Sequence, residues 1–314
     1  MGILQVLFIA LMICLYVFQN FFCKTFSFHY KGDPANTTPV LTVFGGIVVV
    51  VVSFFFSGMK FEAQALTVIL GILNAVAFYG YNYFFLKCSG HGPYSVLMVF
   101  AIFGGIIFPA LTKWIGFGEA MTGPAMCFLV LVMIAVYLVS KKTEGGALNK
   151  ITFKFILYCL GLCASNGIYN AILVLQQQLT GPDEKEELVM VTFFFTAVIS
   201  LAALLARKAN LKEALRQTKK SALHLVLYAL STALAINSLV IILLLEINTG
   251  VLYTIQSASI MLLSVILSMI CFKEKLSKVN VTGCIIMAIG LVGITVCEKI
   301  TFTQLGEIFT NLIK

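Results

Sequence analysis

Residues 250–293 read GVLYTIQSASIMLLSVILSMICFKEKLSKVNVTGCIIMAIGLVG. Two apolar runs flank a short charged step, Phe272-Lys273-Glu274-Lys275-Leu276-Ser277, and the second run carries Gly283, Gly290 and Gly293. Each run is about 20 residues long, the length a helix needs to cross the hydrocarbon core of a bilayer. In lipid a backbone must satisfy its own polar groups, so apolar runs of this length predict helices.

Reading outward, the same alternation fills the chain. Apolar runs fall at about 2–22, 36–56, 65–86, 92–112, 121–140, 152–176, 188–206, 222–245, 250–272 and 279–297. Of the 314 residues 60% are hydrophobic and 11% charged, and mean hydropathy is +1.02. A soluble domain carries roughly 25% charge, and a chain this apolar could not cover its surface in water. The longest connection, about 207–221, is too short for a soluble domain. The expectation is an all-α integral membrane protein of ten transmembrane helices, with its function inside the bundle. The run at 2–22 lacks a basic leader and a small-residue cleavage site, so it is read as a retained span.

The net charge of +8 follows membrane topology and does not mark a nucleic-acid partner. Lys24, Lys31, Lys87, Lys141, Lys142, Lys150, Lys154 and the cations of 207–220 and 273–278 lie on one face of such a bundle. The other face holds Lys60, Lys113, Lys185, Lys299 and Lys314. The basic face is the cytoplasmic one, which places both termini outside. The stretch 207–221 sets Leu211, Ala214 and Leu215 among cations, as an interfacial helix or a solvated basic loop would. The tail 299–314 spaces Leu305, Ile308, Phe309 and Leu312 like a surface helix.

The two halves resemble each other. Gly92, Phe117-Gly118-Glu119 and Gly123 follow the order of Gly250, Phe272-Lys273-Glu274 and Gly283. Asn20 corresponds to Asn170, Asn74 to Thr232, and Tyr79 to Asn237. This divides the chain into repeats at 1–145 and 146–298, followed by the tail 299–314. Five spans is an odd number, so the repeats are inverted, an architecture that places a site between the halves near the midplane.

Phe272-Lys273-Glu274-Lys275-Leu276-Ser277, its earlier copy around Glu119, and Asn20-x-x-x-Lys24 at the end of the first span resemble the drug/metabolite transporter superfamily in its ten-helix EamA-domain form. The resemblance covers almost the whole chain. It implies a central cavity between spans one to four and six to nine, with spans five and ten peripheral, and transport by alternating access. The family's tryptophan near the first-span asparagine is replaced here by Tyr16-Val17-Phe18-Gln19-Asn20, and the lone Trp114 stands at a span end.

Polar side chains inside spans face the bundle interior or water. The candidates for substrate binding are Gln19, Asn20, Asn74, Tyr81, Asn166, Tyr169, Asn170, Tyr228, Thr232, Tyr253, Gln256 and Ser257. Their amides and hydroxyls donate and accept hydrogen bonds, and their rings hold flat or cationic groups. Such a lining suits a neutral or zwitterionic polar metabolite (an amino acid, for example) or an organic amine. For each residue the alternative is glue between helices. Pro109 is read as a bend, and Gly104, Gly105, Gly283, Gly290 and Gly293 as close-packing positions. Glu119 and Glu274 are read as helix-end residues, and Glu246 as the acid nearest membrane depth.

Asp33 and Asp183 are the only aspartates and both fall in loops, so no intramembrane aspartyl pair forms. His29, His91 and His224 are scattered, and no serine–histidine pair or zinc motif stands out. The nine cysteines show no C-x-x-C and read as packing residues. The expected function is a secondary transporter in a plasma membrane, bacterial by its compact loops, without cofactor, metal or enzymatic chemistry. Its partners are a small-molecule substrate and the bilayer, with monomer and homodimer both open. The alternatives are a flippase or carrier of lipid-linked cargo and, remotely, an intramembrane enzyme.

Overall fold

The computed structural model describes residues 3–119, 121–139, 152–180, 184–208, 211–243 and 249–297. In chain order the helices are α1 (Ile3–His29), α2 (Thr37–Phe56), α3 (Ala65–Ser89), α4 (Tyr94–Phe117), α5 (Gly123–Val139), α6 (Phe153–Thr180), α7 (Lys185–Ala206), the short α8 (Leu211–Thr218), α9 (Ala222–Leu243), α10 (Thr249–Cys271) and α11 (Lys278–Val296). Among the described residues there is no strand. Seven helices, α1 to α4, α6, α7 and the α9 segment, are long and apolar enough to cross a membrane. The apolar stretches Gly123–Val139, Ile255–Cys271 and Lys278–Ile294 are shorter.

The outer faces carry large apolar side chains: Leu7 is 61% exposed, Ile115 79% and Ile270 70%. Water would penalise such a surface, and lipid does not. The interior holds the polar groups. Thr42 Oγ1 and Ser200 Oγ meet at 2.6 Å between α2 and α7, and Asn237 Nδ2 donates to Ser53 Oγ at 3.0 Å between α9 and α2. Asn237→Ala is expected to cost about 0.6 kcal/mol, the usual size of such bonds in membranes, measured by reversible unfolding in mixed micelles.

The main helix pairs are α4–α6, α3–α6, α1–α9, α2–α7, α3–α7, α2–α9 and α5–α11, with α10 against α11, α4 and α1. Small residues set the closest approaches. A Cβ on Gly104 of α4 would strike the backbone carbonyl of Cys163 on α6, and one on Gly290 of α11 would lie 2.6 Å from Val132 of α5. α5 and α11 form a flanking pair joined to the rest mainly through α4 and α10.

Within 207–221 the helix is α8. It buries Ala214 and Thr218 and exposes Lys212 and Arg216, with Lys219 and Lys220 exposed in the turn that follows, and Arg216 pairs with Glu213 at 3.0 Å. The tail 299–314, Lys141, Lys142, Lys150, Asp183 and Glu246 lie outside the described residues.

Candidate functional site

The bundle encloses a cavity of about 440 Å³, within the usual size of small-molecule sites. On α1, Tyr16, Gln19 and Asn20 are spaced so that they share one face of the helix, and that face lines the cavity. α3 adds Phe78 and Tyr81, and α6 adds Asn166, Tyr169, Asn170 and Gln176 to Gln178. Gln256 and Ser257 come from α10, and Ile236, Leu239 and Val240 from α9.

The close α4–α6 contact allows Asn166 Nδ2 to donate to Ala101 O at 2.7 Å. Asn170 Nδ2 donates to Asn166 O at 2.8 Å. Gly105 makes room for these amides, because a Cβ there would lie 2.8 Å from Asn166 Nδ2 and 3.2 Å from Asn170 Nδ2. At the cavity edge Tyr81 OH of α3 donates to Asn20 Oδ1 of α1 at 2.9 Å. The Phe78 ring lies 6.2 Å from Tyr81 and 5.6 Å from Tyr169, centroid to centroid. Gln19 and Gln256 are 5% and 8% exposed, and the Oε1 of each is buried without a protein donor. Buried acceptors of this kind are costly unless something donates to them. A ligand carrying N–H or O–H groups in this cavity would do so.

The cavity reaches the surface where α4 and α6 end and α7 begins. Gln178 is exposed there, and Lys113 and Lys185 stand on the wall. Among the described residues no Asp or Glu lines the cavity. At the opposite end the bundle is sealed. Lys24 Nζ lies 3.4 Å from Glu274 Oε1, 3.8 Å from the Phe272 ring centroid and 4.8 Å from that of Tyr94. Glu274 also accepts from Tyr94 N at 2.5 Å, from Ser95 N at 3.2 Å and from Ser95 Oγ at 3.1 Å. It therefore caps α4, a helix distant in sequence. Glu119, read in the sequence as its counterpart, is exposed beside the left-handed cap of α4 at Gly118 (φ 70°).

Of the residues singled out in the sequence, Gln19, Asn20, Tyr81, Asn166, Tyr169, Asn170, Gln256 and Ser257 line the cavity. Asn74, Tyr228 and Thr232 do not line it. Tyr228 OH donates to Asn82 Oδ1 at 2.9 Å, and Thr232 Oγ1 donates to Tyr228 O at 2.7 Å, so both hydroxyls are engaged in packing. Asn74 is buried, 1% exposed, elsewhere on α3. The Tyr253 side chain lies outside the described residues. Lining residues not anticipated are Tyr16, Lys113, Lys185 and the run Gln176-Gln177-Gln178. Pro109 and Gly105, read as bend and packing positions, also face the cavity. A run of three glutamines at the end of an apolar helix was the available signal.

A solved structure described only as "Crystal structure of protein" superposes with a TM-score of 0.62 at 13% sequence identity, covering 94% of this chain and 97% of the other. The likeness is one of fold along nearly the whole chain. No protein-family profile and no curated protein matches the sequence.

Proposed function

We propose that this chain is a secondary transporter of the drug/metabolite type, moving a small polar metabolite across the membrane by alternating access. The observation that carries the reading is the cavity: amides and aromatic rings from both halves surround a space that reaches the surface at one end and is sealed at the other. α5, α10 and α11 complete ten spans in this reading.

The helix packing supports an inverted repeat. Exchange α1 with α6, α2 with α7, α3 with α9, α4 with α10 and α5 with α11. The pair α4–α6 becomes α10–α1, α3–α6 becomes α9–α1, α3–α7 becomes α9–α2, and α4–α5 becomes α10–α11; α2–α7 and α5–α11 map onto themselves. Every pair so generated is in contact. Two halves related in this way can trade conformations, which moves the opening from one face to the other. With the basic loops cytoplasmic, the cavity faces outward in this conformation.

Lys113 and Lys185 on the wall favour a zwitterion over a simple organic cation, and the acceptors Gln19 and Gln256 favour a ligand with donors. An amino acid or a similar zwitterion fits both. Among the described residues no acid lines the cavity, which favours exchange or facilitated movement over proton coupling.

The test heats the purified protein with a library of amino acids, amines, nucleosides, sugars and lipid-linked sugars. A ligand at 100 times its Kd stabilises the folded state by about 2.7 kcal/mol. A soluble zwitterion is expected to raise the melting temperature, and Gln256→Ala to abolish that rise. A response confined to lipid-linked compounds would overturn the reading.

A further inference from the structure

The sealed end sits directly beneath the cavity floor. Asn20 and Met98 line the cavity, and Lys24 and Tyr94 lie one helical turn away from them on α1 and α4. Glu274 comes from the connection between α10 and α11, in the other half. Lys24 and Glu274 are 4% and 9% exposed. One carboxylate thus ties the end of α1, the start of α4 and the α10–α11 connection together.

We infer that Lys24–Glu274 is the latch of the closed end, the pair that must separate before the cavity opens to the second face. The inference rests on the alternating-access reading. Its physical basis is the two-sided energetics of a buried ion pair. Taking both charges out of water is costly, and mutual attraction with added hydrogen bonds roughly offsets that cost. The closed, dry pair and the open, hydrated ions therefore lie close in free energy. An apolar plug offers no such alternative, because opening would wet it at full cost. The surrounding contacts fit a latch. Phe272 and Tyr94 shield the ammonium, and Glu274 accepts from the start of α4 through bonds that do not involve Lys24.

The experiment is hydrogen–deuterium exchange on the full chain in lipid nanodiscs, comparing wild type with Lys24→Met. The substitution removes the cation and leaves all three Glu274 hydrogen bonds to α4 in place. Exchange at residues 22–29 and 92–97 is expected to rise about tenfold or more, because the stranded carboxylate favours the open, hydrated form. Exchange at 176–180 and 185–189, around the present mouth, is expected to fall, because opening one end closes the other. Lys24→Met combined with Glu274→Gln removes both charges and is expected to return both regions toward wild type. Glu274→Gln alone must move the two ends in the same opposite directions as Lys24→Met. Unchanged exchange overturns the latch, as does a rise at both ends together, or a double variant that exchanges as fast as Lys24→Met. The transport reading fails separately, through the absence of any stabilising ligand for the wild type.

Discussion

Glu274→Ala is expected to lower the unfolding free energy by about 3–5 kcal/mol, the cost of removing one member of a buried ion pair. The loss leaves Lys24 with 4% exposure and without the carboxylate that lies 3.4 Å from it. It also strips the acceptor from Tyr94 N, Ser95 N and Ser95 Oγ, which uncaps α4 at about 1 kcal/mol. The control is Glu119→Ala, the acid that the sequence comparison of the two halves sets beside Glu274. Glu119 is exposed, so this change is expected to stay within about 0.5 kcal/mol. Unfolding curves of both variants in the same detergent give the comparison. Equal effects would mean that the two acids serve alike and that the buried cluster contributes nothing special.

The second large effect is expected from Gly104→Val. The new Cβ would meet the Cys163 carbonyl, and α6 cannot retreat without breaking the 2.7 Å bond from Asn166 to Ala101. Phe108 of α4 lies against Gly167 from the same side, so the crossing is tight at two levels. Overpacking costs about 1–3 kcal/mol, and the upper end is expected here because the obstacle is backbone. Asn166 and Asn170 would shift with α6, so ligand-induced stabilisation should vanish even where the variant remains folded. Gly116→Ala on the same helix meets nothing within 4 Å and should behave as wild type. A Gly104→Val variant that keeps both its melting temperature and its ligand response would contradict the close-packed crossing.

Helix positions were legible because lipid demands long apolar runs, and the expected runs coincide with α1 to α7 and α9 to α11. Helix ends were less legible. The run 92–112 becomes a helix reaching Phe117, 152–176 one reaching Thr180, and 2–22 one reaching His29. Hydropathy falls at the first polar residue, whereas a helix continues while its backbone bonds are worth keeping. That difference placed Lys113, Lys185 and Gln177-Gln178 in connections, although they stand on the cavity wall.

Polarity showed which residues avoid lipid, and not which of them meet open space. Tyr228 and Tyr81 look alike in sequence. Tyr228 finds Asn82 and packs, while Tyr81 bonds Asn20 at the cavity edge. Only the pairing of α9 with its neighbours decides between those outcomes. The Lys24–Glu274 pair joins residues 250 positions apart, and no local pattern announces it. The Asn20-x-x-x-Lys24 and Phe-Lys-Glu-Lys motifs marked both partners separately.

The most direct measurement is the accessibility of Gln256 from each face of the membrane. Gln256→Cys, added to the nine native cysteines, is treated in sealed vesicles of known orientation with a membrane-impermeant thiol reagent, and position 256 is read by peptide mass spectrometry. Alternating access predicts modification from either side. Modification from one face only would mean a one-sided pocket and would contradict transport by alternating access.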